Sequence, residues 1–213
     1  MSGSAAEREI RDYAADRLRV MLPEARIIHE LVVGGCRADL AAVEPERITL
    51  VEIKSERDTL KRLPEQVRQF GRASHSVIVI AHQRWFDTTP YLNGCDRFVP
   101  VKDLQDTIGA HALWAYPEIE GRPMYGVWSM GRYWSASPEP HAARLLELCW
   151  KDELLAECHR HRIAASARST CAAMVRDMAW HMTGKEIAQA VCRQLRGRNF
   201  PEADAPVLEA VAA

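Results

Sequence analysis

The sequence predicts an α/β fold in which helices cover a mixed sheet. Three observations carry that expectation: an opening helical stripe, three β-prone segments joined by turn residues, and a continuous apolar hexamer typical of a strand covered on both faces. A helical appendage follows toward the C-terminus.

The stripe lies in "SAAEREIRDYAADRLRVML", where Ser4 and Glu7 have capping-box spacing and Ile10, Tyr13, Ala14, Leu18 and Met21 recur at helical intervals before Pro23 ends the run. The β-prone segments are "RIIHELVV", closed by Gly34 and Gly35, then "ADLAAV" and "ITLVEIK" on either side of the turn-prone "EPER". Pro64 suits the first turn of a short helix to about Ala73, and the hexamer is "SVIVIA". A helix from Gln83 to Leu92 and a strand "RFVPV" complete the expected core. The tryptophan-, tyrosine- and glycine-rich stretch from His111 to Ser135 reads as a hairpin or edge elements. After "SPEP", Leu145, Leu148, Cys149, Asp152 and Leu155 mark one helix. A second is expected from near Ser166, and a third is announced by the Thr183 and Glu186 capping box. The divisions are a core over 1–136, a helical subdomain over 137–200 and a loose tail over 201–213.

With 213 residues and 47% apolar composition the chain can bury a sizeable core, and a net charge of −1 gives no global attraction to polyanions. Cys36, Cys95, Cys149, Cys158, Cys171 and Cys192 form no CxxC pair, so a reduced, cytoplasmic setting is expected. Neither a basic start followed by an apolar run nor a window of about 18 apolar residues occurs, so no secretion signal or membrane span is expected.

Three charges stand where strands should be apolar: Asp39, Glu52 and Lys54. If "EPER" is a four-residue loop, Val43 faces Ile48, Ala41 faces Leu50 and Asp39 faces Glu52, with opposed Cβ atoms roughly 5 Å apart. Lys54, two residues beyond Glu52, then shares that face. Both faces of the hairpin are otherwise apolar, which leaves no solvated side for a simple surface ion pair. Two carboxylates this close repel unless a cation joins them, and hard oxygen ligands favour Mg2+ or Mn2+. With a lysine alongside, the set suits phosphodiester hydrolysis.

Asp39 followed by "EIK" resembles the PD-(D/E)xK nuclease superfamily. "RADLAAV" with "VEIKSERDTLKRLPEQVRQF" is similar to short bacterial and phage nucleases related to MmcB and to VRR-NUC domains, over roughly Glu9 to Val101. The resemblance implies a restriction-endonuclease-like core, magnesium held by Asp39 and Glu52, and Lys54 in catalysis. It also implies a supporting glutamine, Gln66, and a further acid, Glu9 on the first helix or Glu30 before the aspartate motif. "RAD" replaces the proline-aspartate of the superfamily name. DNA is the implied substrate, in repair or in processing of phage or mobile-element DNA, and members that cut both strands often pair as homodimers.

Bases that could contact phosphates are Arg37, Arg57 and Lys61, with Arg168, Lys185 and Arg193 in the terminal helices. From Arg162 to Asn199 seven Arg and Lys residues oppose two acids, and "HMTGKE" suits a turn between DNA-gripping helices. Trp128 and Trp134 are candidates for base stacking. A zinc reading of Cys149, Cys158, His159 and His161 fits no standard spacing. The rival to an enzyme is a catalytically silent nucleic-acid- or protein-binding module on the same core.

Overall fold

The computed structural model describes residues 5–90, 96–109, 111–118, 128 and 139–208. Helix α1 (Ala5–Met21) leads into three antiparallel strands, β1 (Arg26–Val33), β2 (Cys36–Val43) and β3 (Ile48–Lys54). After α2 (Leu63–Ala73), β4 (Ser76–His82) pairs parallel with β3. A 3-10 turn (Gln83–Trp85) precedes a separate antiparallel pair, β5 (Phe86–Pro90) and β6 (Asp96–Pro100). Helix α3 (Lys102–Ile108) then returns the chain to β7 (Ala112–Tyr116), parallel to β4. The main sheet is therefore mixed, in the order β1-β2-β3-β4-β7. Four helices close the chain: α4 (Ala142–Leu146), α5 (Lys151–Arg160), α6 (Cys171–His181) and α7 (Gly184–Gly197).

Helix α1 covers one face, where Ile10, Ala14 and Leu18 pack on Leu40, Ala42, Val51, Ile53 and Trp114. The opposite face is shared. Ala41, Val43, Ile48 and Leu50 meet α4 to α7 and Phe70 of α2. Farther along the sheet, Leu63 and Val67 of α2 pack with Val79, Ala81, Leu113 and Leu104. Strand β3 lies between β2 and β4 and is buried along its whole length.

Several boundaries differ from those the sequence predicts. The expected helix from Gln83 begins as a single 3-10 turn and becomes β5, because Phe86, Thr88 and Thr89 suit a pleated pair with β6 better than a helix. Residues 91–95 lie outside the described set. The aromatic stretch contributes β7 as the outer parallel strand, and most of its remainder also lies outside the described residues. The one helix expected around Leu145–Leu155 is two, α4 and α5, and the next starts at Cys171 with Thr170 as its N-cap.

The C-terminal helices are less an appendage than half of the core. Arg26 on β1, only 2% exposed, gives Nη1 to the carbonyls of Leu195, Arg196 and Arg198 at 2.9, 2.9 and 2.6 Å and Nε to Asp204 O at 3.0 Å. These bonds satisfy carbonyls at the end of α7 that the helix itself cannot. The expected loose tail is docked over part of its length: His29 N donates to Glu202 O, Ile27 N donates to the Asp204 carboxylate, and Ala203 bridges Ile28. It thus covers the outer edge of β1. Among the described residues no helix is long and apolar enough to cross a membrane.

Candidate functional site

The β2–β3 hairpin has the register expected from "EPER": Val43 opposes Ile48, Ala42 Thr49, Ala41 Leu50 and Leu40 Val51, and Glu44 N donates to Arg47 O across the loop at 2.9 Å. Backbone pairing stops there. Asp39 does not continue the ladder; its Oδ2 instead accepts the backbone N–H of Ile53 at 2.6 Å. The cause lies in a shared irregularity of β1 and β2. Ile28 and Leu31, three apart, enter the same apolar cluster, as do Ala38 and Ala41, so alternation reverses between them on both strands. The pairs His29–Leu40 and Leu31–Ala38 put Glu30 across from Asp39 at that point, and Glu30 has φ of +56°, rare for a residue with a side chain.

On β3, Glu52 is 3% exposed and Lys54 7%. Lys54 Nζ donates to Glu52 Oε1 at 2.6 Å and to Gln66 Oε1 at 3.1 Å, and Gln66 Nε2 donates to Glu52 Oε1 at 2.5 Å. Gln66 is placed by the first turn of α2, which Pro64 starts and which Leu63, Val67 and Phe70 anchor. Among the described residues the triad leaves Glu52 Oε2 buried without a hydrogen-bond partner. Such an oxygen is costly unless protonated or bound to a cation.

Burial pushes the Asp39 carboxyl up, to about 8, helped by the nearby Glu52 charge; the Ile53 N–H, then Lys54, pull the other way and Glu7 adds to the rise. Burial also raises Glu52 above the ordinary carboxylate range, despite Lys54 and Gln66. Two carboxyls raised in this way beside a lysine are a donor pair that a bound cation would stabilise.

Glu30, one of the two expected further acids, is held by Arg11 Nη1 at 3.3 Å and by Arg37 Nη1 at 3.2 Å. Glu9, the other, stands apart: it is exposed and accepts from Tyr116 Oη at 2.7 Å. Glu7, one half-turn earlier on α1, is the helix acid whose charge reaches Asp39, and it bonds Arg11 Nη2 at 2.6 Å. Sequence periodicity gave no sign of Glu7, because the stripe of α1 marks its core side and not which neighbouring acid abuts the irregularity in β1 and β2. The signal for Arg11 is a charge within the turn that carries Ile10 and Ala14.

The expected phosphate-contacting bases divide. Arg57 lies near Glu56 at 3.8 Å, and Lys61 is exposed at the entry to α2. In the terminal helices the local positive excess is largely spent internally, a correction to the sequence count. Arg193 grips buried Glu157 with two bonds of 2.9 Å, Arg198 binds Glu153, and Lys185 pairs with Glu46 at 3.3 Å. Arg168 is exposed and pairs with no acid among the described residues. Helix α7 is packed into the core through Ile187, Val191 and Leu195, so it is not presented as a groove-reading helix. Trp128 is 4% exposed, stacked on Trp114 at 4.8 Å, and so serves packing; Trp134 is outside the described residues. Cys149 and Cys158 are buried in the apolar core while His159 is exposed. Among the described residues no three His, Cys, Asp or Glu side chains converge on a metal position of their own.

The fold and site define a mixed α/β protein whose sheet carries a buried acid–acid–lysine cluster beneath a helical glutamine. A family model described as Bacteriophage P4 protein cII matches residues 2–90, less than half the chain but all of this cluster. No curated protein and no solved structure matches.

Proposed function

We propose that the chain is a metal-dependent nuclease that hydrolyses DNA phosphodiester bonds, on a core of the restriction-endonuclease-like kind. The observation that carries this reading is Glu52: buried, hydrogen-bonded through Oε1 to both Lys54 and Gln66, with Oε2 unpartnered among the described residues and its charge helping to raise the carboxyl of Asp39. A surface ion pair does not need a buried site, and a purely structural one would have satisfied that oxygen.

The donor set of two hard carboxylates fits Mg2+ or Mn2+, which Asp39 and Glu52 would hold. Such an ion, when bound, offsets the repulsion between the two carboxylates and polarises a phosphoryl oxygen. Lys54 supplies the positive charge that orients a water or stabilises the developing oxyanion, and Gln66 keeps that ammonium aligned by bonding both it and Glu52. Arg57, Lys61 and Arg168 are exposed bases that phosphate could contact, whereas Arg37, also exposed, is paired with Glu30.

Helices on both sides of a mixed sheet, with the acidic strand at its centre, support the core assignment. The match to a bacteriophage family model supports a role in phage or mobile-element DNA processing, with repair the other setting. A reduced, cytoplasmic environment suits the five described cysteines, all free thiols, and a homodimer would let two sites act on opposite strands.

The test is a cleavage assay on single-stranded, duplex and branched DNA with Mg2+, Mn2+ or EDTA. Cleavage should require the metal and fall by at least about a hundredfold in Lys54→Ala. DNA binding without metal-dependent cutting, unchanged in Lys54→Ala, would return the chain to the binding-module class.

A further inference from the structure

We propose that Arg62 is a substrate-binding residue that grips a phosphate of the nucleic-acid backbone beside the Asp39, Glu52 and Lys54 cluster, and does so without a metal ion. This deepens the nuclease reading and rests on its phosphodiester site, not on its metal.

Arg62 is the N-cap of α2, with its backbone already helical at φ −90° and ψ −15°, and its carbonyl accepts Gln66 N–H at 3.1 Å. Residues four apart share one side of a helix, so Arg62 leaves α2 on the side from which Gln66 bonds Glu52 and Lys54. The electrostatics agree with that placement. Burial dominates the raised Glu52 carboxyl, and Lys54, Gln66 and then Arg62 work against it. Burial also lifts the Cys36 thiol at the start of β2, where Glu65 and Glu52 add to the rise and Arg62 opposes it. The Arg62 charge is therefore felt on both β2 and β3, at the end of the sheet where the cluster lies.

The side chain is exposed and pairs with no acid among the described residues. Glu65, the acid nearest in sequence, has its oxygens taken by Arg68 and by Gln69 Nε2 at 2.7 Å. The neighbouring cations are engaged elsewhere. Arg37 is 3.2 Å from Glu30, and Lys54 is 7% exposed and held by Glu52 and Gln66. Lys61 lines a separate cleft with Asp58 and with Asp103 and Asp106 of α3, where acids offset its charge. A backbone phosphate approaching two carboxyls needs a positive charge that is not already neutralised, and a guanidinium can meet two phosphate oxygens at once. Arg62 is that charge. Position 62 makes no side-chain cap bond, so the start of α2 does not depend on its guanidinium.

The test is fluorescence anisotropy of a short labelled single strand of DNA and of its duplex, titrated with the full chain in EDTA over a range of salt concentrations. Arg62→Ala should weaken binding by about tenfold and reduce the slope of log K against log salt by about 0.7–0.9, the share of one phosphate contact. Arg62→Lys should keep the slope and recover only part of the affinity. Lys61→Ala should lose less than about threefold. With Mg2+ present, Arg62→Ala should raise KM for cleavage and leave kcat nearly unchanged. Unchanged affinity and slope in Arg62→Ala, equal losses in Arg62→Ala and Lys61→Ala, or a lowered urea midpoint in Arg62→Ala would overturn the role of Arg62 and leave the nuclease reading standing. Arg62-dependent binding without any metal-dependent cutting keeps the phosphate contact and overturns the nuclease reading. No DNA binding by wild type overturns both.

Discussion

At the scale of single residues, the site and its surroundings hold two half-buried titratable groups with opposite signs of linkage. Asp39 has a carboxyl raised to about 8, so folding favours its protonated form. Its contribution to stability is present below the unfolded value near 4 and is lost as pH rises through 8. In metal-free protein Asp39→Asn, which cannot ionise, should therefore gain on wild type progressively from pH 4 to 8 and hold a constant advantage above that. Allowing for partial solvent access, the gain is on the order of 1–3 kcal/mol, measured by urea denaturation in EDTA. The same variant should lose Mn2+ binding. With Asp39 as a metal ligand, as proposed, stability and ligation oppose each other there. His75 shows the reverse. Burial, with Arg47 adding to it, lowers its imidazole to about 4, and Nδ1 accepts Ile48 N–H at 3.1 Å, holding the loop before β4 against the start of β3. With the folded value below the unfolded one, its stability contribution is complete above about 6.5 and is lost as pH falls toward 4. Wild type should lose roughly 2–3 kcal/mol more than His75→Asn between pH 7 and 4, since asparagine can accept the same N–H without charging.

At the scale of elements, how much the sequence revealed depended on whether an element's geometry is set locally. The β2–β3 register follows from one four-residue turn, so counting across "EPER" gives the pairs from Val43–Ile48 to Leu40–Val51, while the expected Asp39–Glu52 pair falls just past the end of the ladder. The reversal of alternation at Glu30 and Asp39 is imposed jointly by two strands and by α1, and no local pattern records it. The β5 strand was misread because its partner β6 lies beyond a loop, and pairing, not periodicity, makes it a strand. Helix α5 carries a detail that is local and testable. Ile163 N donates to Cys158 O at 2.8 Å and Arg162 N to His159 O at 3.1 Å, the paired bonds of a Schellman end. The residue that must adopt the left-handed conformation there is Arg162, with φ of +57°, where glycine is favoured. Arg162 is exposed. Arg162→Gly should accordingly stabilise the protein by about 0.5–1 kcal/mol, read as a higher urea midpoint with unchanged slope.

At the scale of the whole molecule, the sequence division into a core and an appended helical subdomain meets a sheet whose second face those helices share with α2 and α3. Ala41, Val43, Ile48 and Leu50, on the strands that carry the site, pack against α4 to α7, and Arg26 ties β1 to the end of α7. Composition drew the boundary at "SPEP" because helices follow strands there, but composition does not report which face those helices must cover. A chain ending at residue 140 would expose that apolar face along β1 to β4 and leave the Arg26 guanidinium without its carbonyl acceptors. It should therefore fail to fold by itself and aggregate on expression, whereas a separable appendage would leave a soluble core with intact strand signal in circular dichroism. In the full chain, Arg26→Met tests the same coupling more gently. Losing four hydrogen bonds, two of them buried, and stranding the Leu195 and Arg198 carbonyls should cost roughly 3–5 kcal/mol, with one cooperative transition retained by both fluorescence and circular dichroism. Two separated transitions in either probe would mean that the helices and the site-bearing sheet unfold independently, and that the C-terminal half does not hold Asp39, Glu52 and Lys54 in place.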